Sequence, residues 1–132
     1  MPGETILVVE DESSVARGIE YGLKAEGYSV LIAATGKKAL EIARSGKPQL
    51  ILLDIRLPDL SGFDLAEMLG AGISEGLAFL VADEYRAADE IRALELDRTN
   101  YFCKPLDASW LCQWYAVFRG KGDKPSTTLE RA

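Results

Sequence analysis

The sequence predicts a three-layer, doubly wound α/β domain in which five strand–helix units build a five-stranded parallel sheet. Short apolar runs rich in β-branched residues recur along the chain, and amphipathic segments separate them. Strict alternation of strand and helix favours parallel strands joined by right-handed crossovers, with helices on both faces of the sheet. A chain of 132 residues, 48% of them hydrophobic, is long enough for one such core.

Each predicted strand is a short apolar run that ends at a polar residue or a turn signal. The first run stops at the acidic segment Glu10-Asp11-Glu12, and the third, which is the most apolar, ends at Asp54. Uninterrupted apolar runs are typical of strands that are buried on both faces of a parallel sheet. In chain order, the predicted strands are Thr5–Val9, Tyr28–Ala33, Leu50–Leu53, Leu77–Val81 and Tyr101–Cys103.

The predicted helices carry apolar residues at helical spacing on one face. Ser13 or Ser14 is placed to cap the first helix, and Gly27 to end it. Gly46, followed by Pro48, ends the second helix. The helices after the first are predicted at Lys37–Arg44, Phe63–Leu69, Ala87–Leu96 and Ala108–Arg119.

Composition and charge exclude several classes of function. The chain has 21 Asp and Glu against 15 Lys and Arg, a formal net charge of −6, and no histidine. Without histidine it has no His-dependent hydrolase triad, no zinc site with imidazole ligands and no histidine of its own to phosphorylate. Because non-specific binding to phosphates depends on clustered basic residues, which are missing here, we expect no direct binding to nucleic acid.

The chain is expected to form one domain over residues 1–120, followed by a polar tail or the start of a linker over 121–132. Cys103 and Cys112 are too few for a disulfide scaffold, and we interpret them as small apolar fillers in a reducing compartment. No apolar stretch has the length of a membrane span, and the first residues do not form a signal peptide. We therefore expect a cytoplasmic protein with no membrane partner.

Acidic residues follow two of the predicted strands, and a lysine follows a third. Glu10 and Asp11 come after the first strand, Asp54 ends the third, and Lys104 follows the fifth. Open parallel sheets bind ligands beyond the carboxyl ends of their strands, so these side chains are expected to converge. Carboxylates held close together repel one another unless a cation lies between them, and Mg²⁺ prefers such oxygen ligands. Asp54 is then the best-placed nucleophile towards a phosphoryl group, with Mg²⁺ and Lys104 stabilising the charge.

Three motifs resemble those of the CheY-like receiver domain of two-component response regulators, at that family's spacings. They are Ile-Leu-Val-Val-Glu10-Asp11-Glu12, Leu-Ile-Leu-Leu-Asp54-Ile-Arg56-Leu-Pro58-Asp-Leu-Ser-Gly62-Phe and Tyr101-Phe-Cys-Lys104-Pro105. The resemblance covers about residues 4–119 and implies a flavodoxin-like topology. It also implies a signalling module in a phosphorelay, and not an enzyme with an external substrate.

The resemblance implies a role for each of these residues. Asp54 would be the phospho-acceptor, with its phosphoryl group coming from a phosphohistidine on a sensor histidine kinase or a histidine phosphotransfer protein. Mg²⁺ would be held by the side chains of Asp11 and Asp54 and the backbone carbonyl of Arg56, with Glu10 acting through water. Lys104 would contact the phosphoryl group. The chemistry would be directed at the chain itself, as phosphotransfer and autodephosphorylation.

One position departs from the pattern of the family. Ala82 stands where a Thr or Ser hydroxyl normally binds the phosphoryl group and draws the following loop inward, which lets the aromatic residue Tyr101 turn in. Without that hydroxyl, we expect Asp54 to remain phosphorylatable while the conformational switch is atypical. The alternative is a pseudo-receiver that works by binding alone, without phosphorylation.

Two further groups of residues are left with open interpretations. Arg56 and Glu84 occupy positions that tune phosphate lifetime in the family, and Arg56 either pairs with Glu84 or Glu10 or is a solvated charge. The last helix carries Trp110, Trp114 and Phe118. These aromatic residues either pack on the sheet or form an apolar surface for a partner or a second copy of the chain.

Two other classes of protein fit the sequence less well. An aspartate-nucleophile phosphatase of the haloacid-dehalogenase kind needs a second Asp two residues after the first, where this chain has Arg56. A flavodoxin-like flavin carrier needs a phosphate-binding loop after the first strand, where Glu10-Asp11-Glu12 would repel phosphate.

Overall fold

A computed structural model describes residues 4–70, 77–96, 99–103 and 108–118 of the chain. Within these ranges, strands and helices alternate as the sequence predicts. The strands are Thr5–Val9 (β1), Ser29–Ala33 (β2), Leu50–Asp54 (β3), Leu77–Ala82 (β4) and Thr99–Cys103 (β5). The helices are Ser13–Ala25 (α1), Gly36–Gly46 (α2), Gly62–Gly70 (α3), Ala87–Leu94 (α4) and Ala108–Phe118 (α5).

The five strands form one parallel sheet in the order β2-β1-β3-β4-β5. Leu7 of β1 lies between Leu31 of β2 and Ile51 of β3. The chain therefore winds outward from β1 in one direction to β2 and then in the other direction to β3, β4 and β5. The predicted fold class is confirmed, and the reversal of winding places a crevice at the carboxyl ends of β1 and β3.

Alternate residues of the strands point into two apolar layers, one on each face of the sheet. The first layer joins the sheet to α2, α3 and α4 through buried residues that include Leu53, Phe63 and Leu80. The second joins it to α1 and α5, where Leu23, Leu111 and Tyr115 are buried. Because both faces are covered, the polar ends of the central strands are the places left for chemistry.

The start of α1 differs from the prediction. Glu12 is the N-cap residue, its side chain makes no capping hydrogen bond, and the helix begins at Ser13. The serine cap that the sequence suggested is therefore wrong. At the other end the prediction of Gly27 is confirmed, because Gly27 has a φ of 99°, a backbone conformation that glycine adopts without strain.

Most other boundaries differ from the prediction by one or two residues, and two of these differences have a clear cause. The helix α2 begins one residue before its predicted start, because the Thr35 hydroxyl accepts a hydrogen bond from the backbone N–H of Lys38 at 3.1 Å. The strand β5 begins at Thr99 and not at Tyr101, since pairing in register with β4 extends it. Pairing with a neighbouring strand overrides the weak strand propensity of Asn100.

Lys104 and the segment 121–132 lie outside the described residues, as do the Trp110 and Phe118 side chains. The domain boundary at residue 120 therefore remains a prediction. Cys103 and Cys112 are half-buried and are not joined in a disulfide. Of the helices that the structure describes, none combines the length and the apolar character needed to cross a bilayer.

Candidate functional site

Three carboxylates meet at the carboxyl ends of β1 and β3. Glu10 and Asp11 follow the last residue of β1, and Asp54 is the last residue of the neighbouring strand β3. One carboxylate oxygen from each of the three side chains lies within 4.8 Å of the other two. The structure thus brings together, from two strands, the acidic residues that the sequence selected.

The acidic pocket, Glu10, Asp11 and Asp54, is largely shielded from water. Glu10 is 4% exposed and Asp54 is 7% exposed, whereas Asp11 faces solvent. Two buried carboxylates beside a third repel one another, and a shared cation is the simplest compensation. The available ligands are hard oxygen atoms, and the pocket is open to solvent on the side of Asp11. Both features fit a Mg²⁺ ion that retains part of its water shell.

Backbone hydrogen bonds orient both buried carboxylates. The backbone N–H of Arg56 donates to Oδ1 of Asp54 at 2.9 Å, and the backbone N–H of Glu12 donates to Oε2 of Glu10 at 3.2 Å. Ile55 continues the contact with β4, because its N–H donates to the carbonyl of Val81 at 3.0 Å. Asp54 therefore stands on a rigid strand end, with its carboxylate held by the loop that follows it.

That loop, residues 55–61 and called the β3–α3 loop below, is closed at its base by Gly62. The N–H of Gly62 donates to the carbonyl of Ile55 at 3.0 Å, and Arg56 and Ser61 form an isolated antiparallel bridge. A Cβ atom at position 62 would lie 2.6 Å from the carbonyl oxygen of Asp54. Glycine is required here because the backbone passes so close to the end of β3.

Ala82 and Tyr101 lie beside the pocket on the β4 side. Ala82 ends β4, is 1% exposed and has no hydroxyl group of its own. Tyr101 is half-buried, and its hydroxyl accepts from the N–H of Arg86 at 3.2 Å and donates to the carbonyl of Glu84 at 3.5 Å. Burial raises the pKa of Tyr101. The tyrosine is therefore neutral and bonded to the β4–α4 loop, residues 83–86.

Tyr85 of the same loop packs against this tyrosine. The two rings meet edge to face with centroids 6.0 Å apart. The Tyr85 hydroxyl donates to Oε1 of Glu90 in α4 at 2.6 Å, and this hydrogen bond raises the pKa of Tyr85. An aromatic pair and three hydrogen bonds thus link β5, the β4–α4 loop and the start of α4.

The remaining predicted site residues have different outcomes. Lys104, Trp110 and Phe118 fall on parts of the chain whose side chains are not described. Trp114 is half-buried, with its ring centroid 6.5 Å from that of Phe102, which fits packing against the sheet.

Among the described ion pairs, Glu84 pairs with Arg86 at 3.8 Å. Arg56 is exposed. The structure thus favours the interpretation of the Arg56 guanidinium as a solvated charge over the pair with Glu84.

Sequence reasoning missed Asp59. Its carboxylate accepts hydrogen bonds from the backbone N–H groups of Gly36, at 2.8 Å, and Lys37, at 3.0 Å, in the first turn of α2. The Gly36 bond is the main cause of a pKa below the usual value of 3.8. A signal exists in the sequence, since Asp in a turn often binds backbone amides, but nothing local identifies a partner 23 residues away.

A doubly wound parallel sheet with three carboxylates at its switch point defines a class of α/β domain that can hold a hard cation beside an aspartate. Comparison with known proteins makes the assignment specific. The chain belongs to the response regulator receiver domain family, which it matches over residues 6–116. The resemblance noted from the sequence motifs is thereby confirmed, and the chain is a receiver domain of the two-component kind.

The chain is similar to bacterial transcriptional regulators. It is 34% identical over 120 residues to the uncharacterized transcriptional regulatory protein YkoG of Bacillus subtilis, covering 90% of this chain and 53% of that protein. It is 35% identical over 100 residues to the alkaline phosphatase synthesis transcriptional regulatory protein PhoP of the same organism, covering 76% of this chain and 42% of that protein. The chain thus spans about half the length of these relatives.

Solved structures show the same architecture. A response regulator receiver domain protein (CheY-like) from Methanospirillum hungatei superposes with a TM-score of 0.80 at 26% sequence identity, covering 88% of this chain and 93% of that one. The topology of the sheet is therefore that of a receiver domain.

Proposed function

We propose that Asp54 accepts a phosphoryl group and that the chain signals through the resulting aspartyl phosphate. The observation that supports this most is the acidic pocket, Glu10, Asp11 and Asp54, in a chain of the receiver family. Asp54 is 7% exposed and is held by the N–H of Arg56, so its carboxylate is pre-oriented for attack.

The residues that would hold Mg²⁺ are the side chains of Asp11 and Asp54 and the backbone carbonyl of Arg56, with Glu10 acting through water. When bound, the ion would neutralise charge that builds up on the phosphoryl oxygens. Asp11 faces solvent, which fits a ligand on the open side of the pocket. Lys104 would add a second positive charge from the end of β5.

The transfer is a nucleophilic substitution at phosphorus. An oxygen of Asp54 forms the new P–O bond, the P–N bond to the donor histidine breaks, and its electron pair stays on the imidazole nitrogen. Water later attacks the same phosphorus, the P–O bond to Asp54 breaks, and inorganic phosphate leaves. The chain contains no histidine. The donor therefore belongs to a partner, either a sensor histidine kinase or a histidine phosphotransfer protein.

Ala82 separates this chemistry from its conformational readout. A hydroxyl at that position would add a charge-assisted hydrogen bond to the phosphoryl group, worth on the order of 1.5–3 kcal/mol. Its absence leaves the nucleophile intact but removes the direct link to the β4–α4 loop. The contacts of Tyr101 with Glu84 and Arg86 support an atypical switch, because Tyr101 already binds this loop without a phosphoryl group.

Intact-mass measurement after incubation with acetyl phosphate and Mg²⁺ tests the acceptor role. We expect a species heavier by about 80 Da, the mass of an added HPO₃ group, in the wild type. Asp54→Asn is the control that should remain unmodified. A wild type that stays unmodified, while a known receiver domain is phosphorylated under the same conditions, would favour the pseudo-receiver alternative.

A second experiment addresses the switch. Beryllofluoride with Mg²⁺ imitates the phosphoryl group, and nuclear magnetic resonance reports the environment of the Tyr101 ring. We expect large changes around Asp54 and small ones at Tyr101, because Ala82 cannot connect the two. A large displacement of the Tyr101 ring in the wild type would contradict the uncoupled switch. In Ala82→Thr, which regains the hydroxyl, we expect beryllofluoride to displace the Tyr101 ring.

A further inference from the structure

We propose that Asp59 is a positioning residue that ties the β3–α3 loop to the first turn of α2 and thereby holds the backbone of Arg56 at the acidic pocket. This inference rests on the proposed function, since the pocket is where Mg²⁺ and the phosphoryl group would bind. Asp59 itself touches neither Asp54 nor the expected metal ligands among its described hydrogen bonds.

The tie consists of two hydrogen bonds to one carboxylate. Oδ1 of Asp59 accepts from the N–H of Gly36 at 2.8 Å, and Oδ2 accepts from the N–H of Lys37 at 3.0 Å. These N–H groups have no partner within α2, because they belong to its first turn. The positive end of the helix dipole adds to the attraction, in line with the lowered pKa of Asp59. The carboxylate is therefore charged at neutral pH and engages both donors.

An apolar contact supports the same docking. A Cβ atom at Gly36 would lie 2.6 Å from Cδ1 of Leu60, so the loop lies directly against the helix backbone. Leu57 and Leu60 also pack on the buried layer beneath α2 and α3. The loop is thus held at its tip by Asp59 and along its inner side by leucines.

Docking of the tip affects the pocket because only two residues separate Asp59 from Arg56. Gly62 closes the base through the carbonyl of Ile55, and the bridge between Arg56 and Ser61 sets the width of the loop. Pro58, with its restricted φ, lies between Asp59 and Arg56 and limits how the tip can move alone. Release of Asp59 should therefore turn the peptide groups of Arg56, whose N–H holds Asp54 and whose carbonyl is an expected metal ligand.

A purely structural role for Asp59, as a cap of α2, makes a different prediction. Thr35 caps the same helix, because its hydroxyl accepts from the N–H of Lys38 at 3.1 Å, yet it does not belong to the β3–α3 loop. Thr35→Ala is therefore a matched control. It weakens the start of α2 and leaves the tie between Asp59 and the helix in place.

The experiment is a Mg²⁺ titration of the full chain, followed by amide resonances in two-dimensional nuclear magnetic resonance spectra. Loss of groups that orient metal ligands commonly weakens metal binding by about 10-fold to 100-fold. We expect Asp59→Ala to raise the Kd for Mg²⁺ about tenfold and Asp59→Asn, which keeps one acceptor, about threefold. Thr35→Ala should change the Kd less than about twofold, since the β3–α3 loop keeps its position in this variant.

The spectra without metal give an independent readout. In Asp59→Ala the amide resonances of Arg56 and Gly62 should shift, and in Thr35→Ala they should not. Equal effects of the Asp59 and Thr35 substitutions on Mg²⁺ affinity and on these resonances would overturn the inference while leaving the proposed function intact. A wild type that shows no saturable response to Mg²⁺ would instead count against the proposed function. The resonances of Arg56 and Gly62 without metal would still show whether Asp59 holds the loop in place.

Discussion

Two glycines of α1, one helical turn apart, lead to opposite predictions for the same substitution. Replacing glycine by alanine inside a helix stabilises the helix by about 1 kcal/mol. At Gly18 an added Cβ atom would have no atom within 4 Å, whereas at Gly22 it would lie 2.7 Å from Cβ of Ala108 in α5. The gain in helix propensity is thus the same at both sites, and the cost of crowding occurs at Gly22 alone.

The size of that cost follows from the distance. Carbon atoms in favourable contact lie about 3.5–4.0 Å apart, so α1 and α5 would have to separate by about 1 Å. Crowding of this kind costs about 1–3 kcal/mol. We expect Gly18→Ala to raise the free energy of unfolding by about 0.5–1 kcal/mol, and Gly22→Ala to lower it by about 1 kcal/mol.

Urea unfolding followed by far-ultraviolet circular dichroism measures both values. The double substitution Gly22→Ala with Ala108→Gly should recover most of the loss, because it removes the opposing methyl group. If Gly22→Ala proved as stabilising as Gly18→Ala, the close packing of α1 against α5 would be refuted, and with it the position of α5 on the sheet.

Three further predictions concern the pocket and its loop. Gly62→Ala should lower the free energy of unfolding by about 2–3 kcal/mol in urea, because its Cβ would meet the backbone of Asp54 and Ile55 at 2.6 and 2.7 Å. Mg²⁺ should raise the Tm of the wild type, by an amount equivalent to about 2.7 kcal/mol at one hundred times its Kd, and Asp11→Asn should abolish most of this rise. The pKa of Asp59 is below 3.8, so its contribution to stability is present above that pH and is lost as the pH falls through the folded-state pKa. The difference in urea midpoint between the wild type and Asp59→Asn should therefore shrink in acid and stay constant near neutrality.

Each of these predictions has a result that would count against it. Full stability of Gly62→Ala would contradict the close approach of the loop to β3. An unchanged Mg²⁺ effect in Asp11→Asn would place the ion elsewhere. A midpoint difference that grows on acidification would mean that the Asp59 carboxylate is not the group that binds α2.

Much of the pocket was predictable because its residues directly follow strong strands. The runs that end at Glu10 and Asp54 are apolar throughout and allow few other structures, and the parallel order then places their ends side by side. The sequence also placed Ala82 at the carboxyl end of the fourth strand, although β4 runs one residue further than predicted and includes Ala82 as its last residue. In these cases local sequence and the global fold agree.

The features that escaped prediction depend on contacts between distant parts of the chain. The hydrogen bonds of Asp59 join residues 22 and 23 positions apart, and no periodicity reveals such a partner. The contact of Tyr101 with Glu84 and Arg86 likewise arises when β5 pairs with β4. The prediction of a serine cap for α1 was wrong for a local reason. Glu12 occupies the N-cap position, and its side chain makes no capping hydrogen bond.

The most direct test of the account is to locate the phosphoryl group chemically. After incubation with a phosphoryl donor and Mg²⁺, borohydride reduces an aspartyl phosphate to homoserine, which tandem mass spectrometry assigns to one residue. The account predicts homoserine at position 54 in the wild type and at no position in Asp54→Asn. Homoserine at position 11, or a phosphorylated protein with an intact aspartate at position 54, would contradict it.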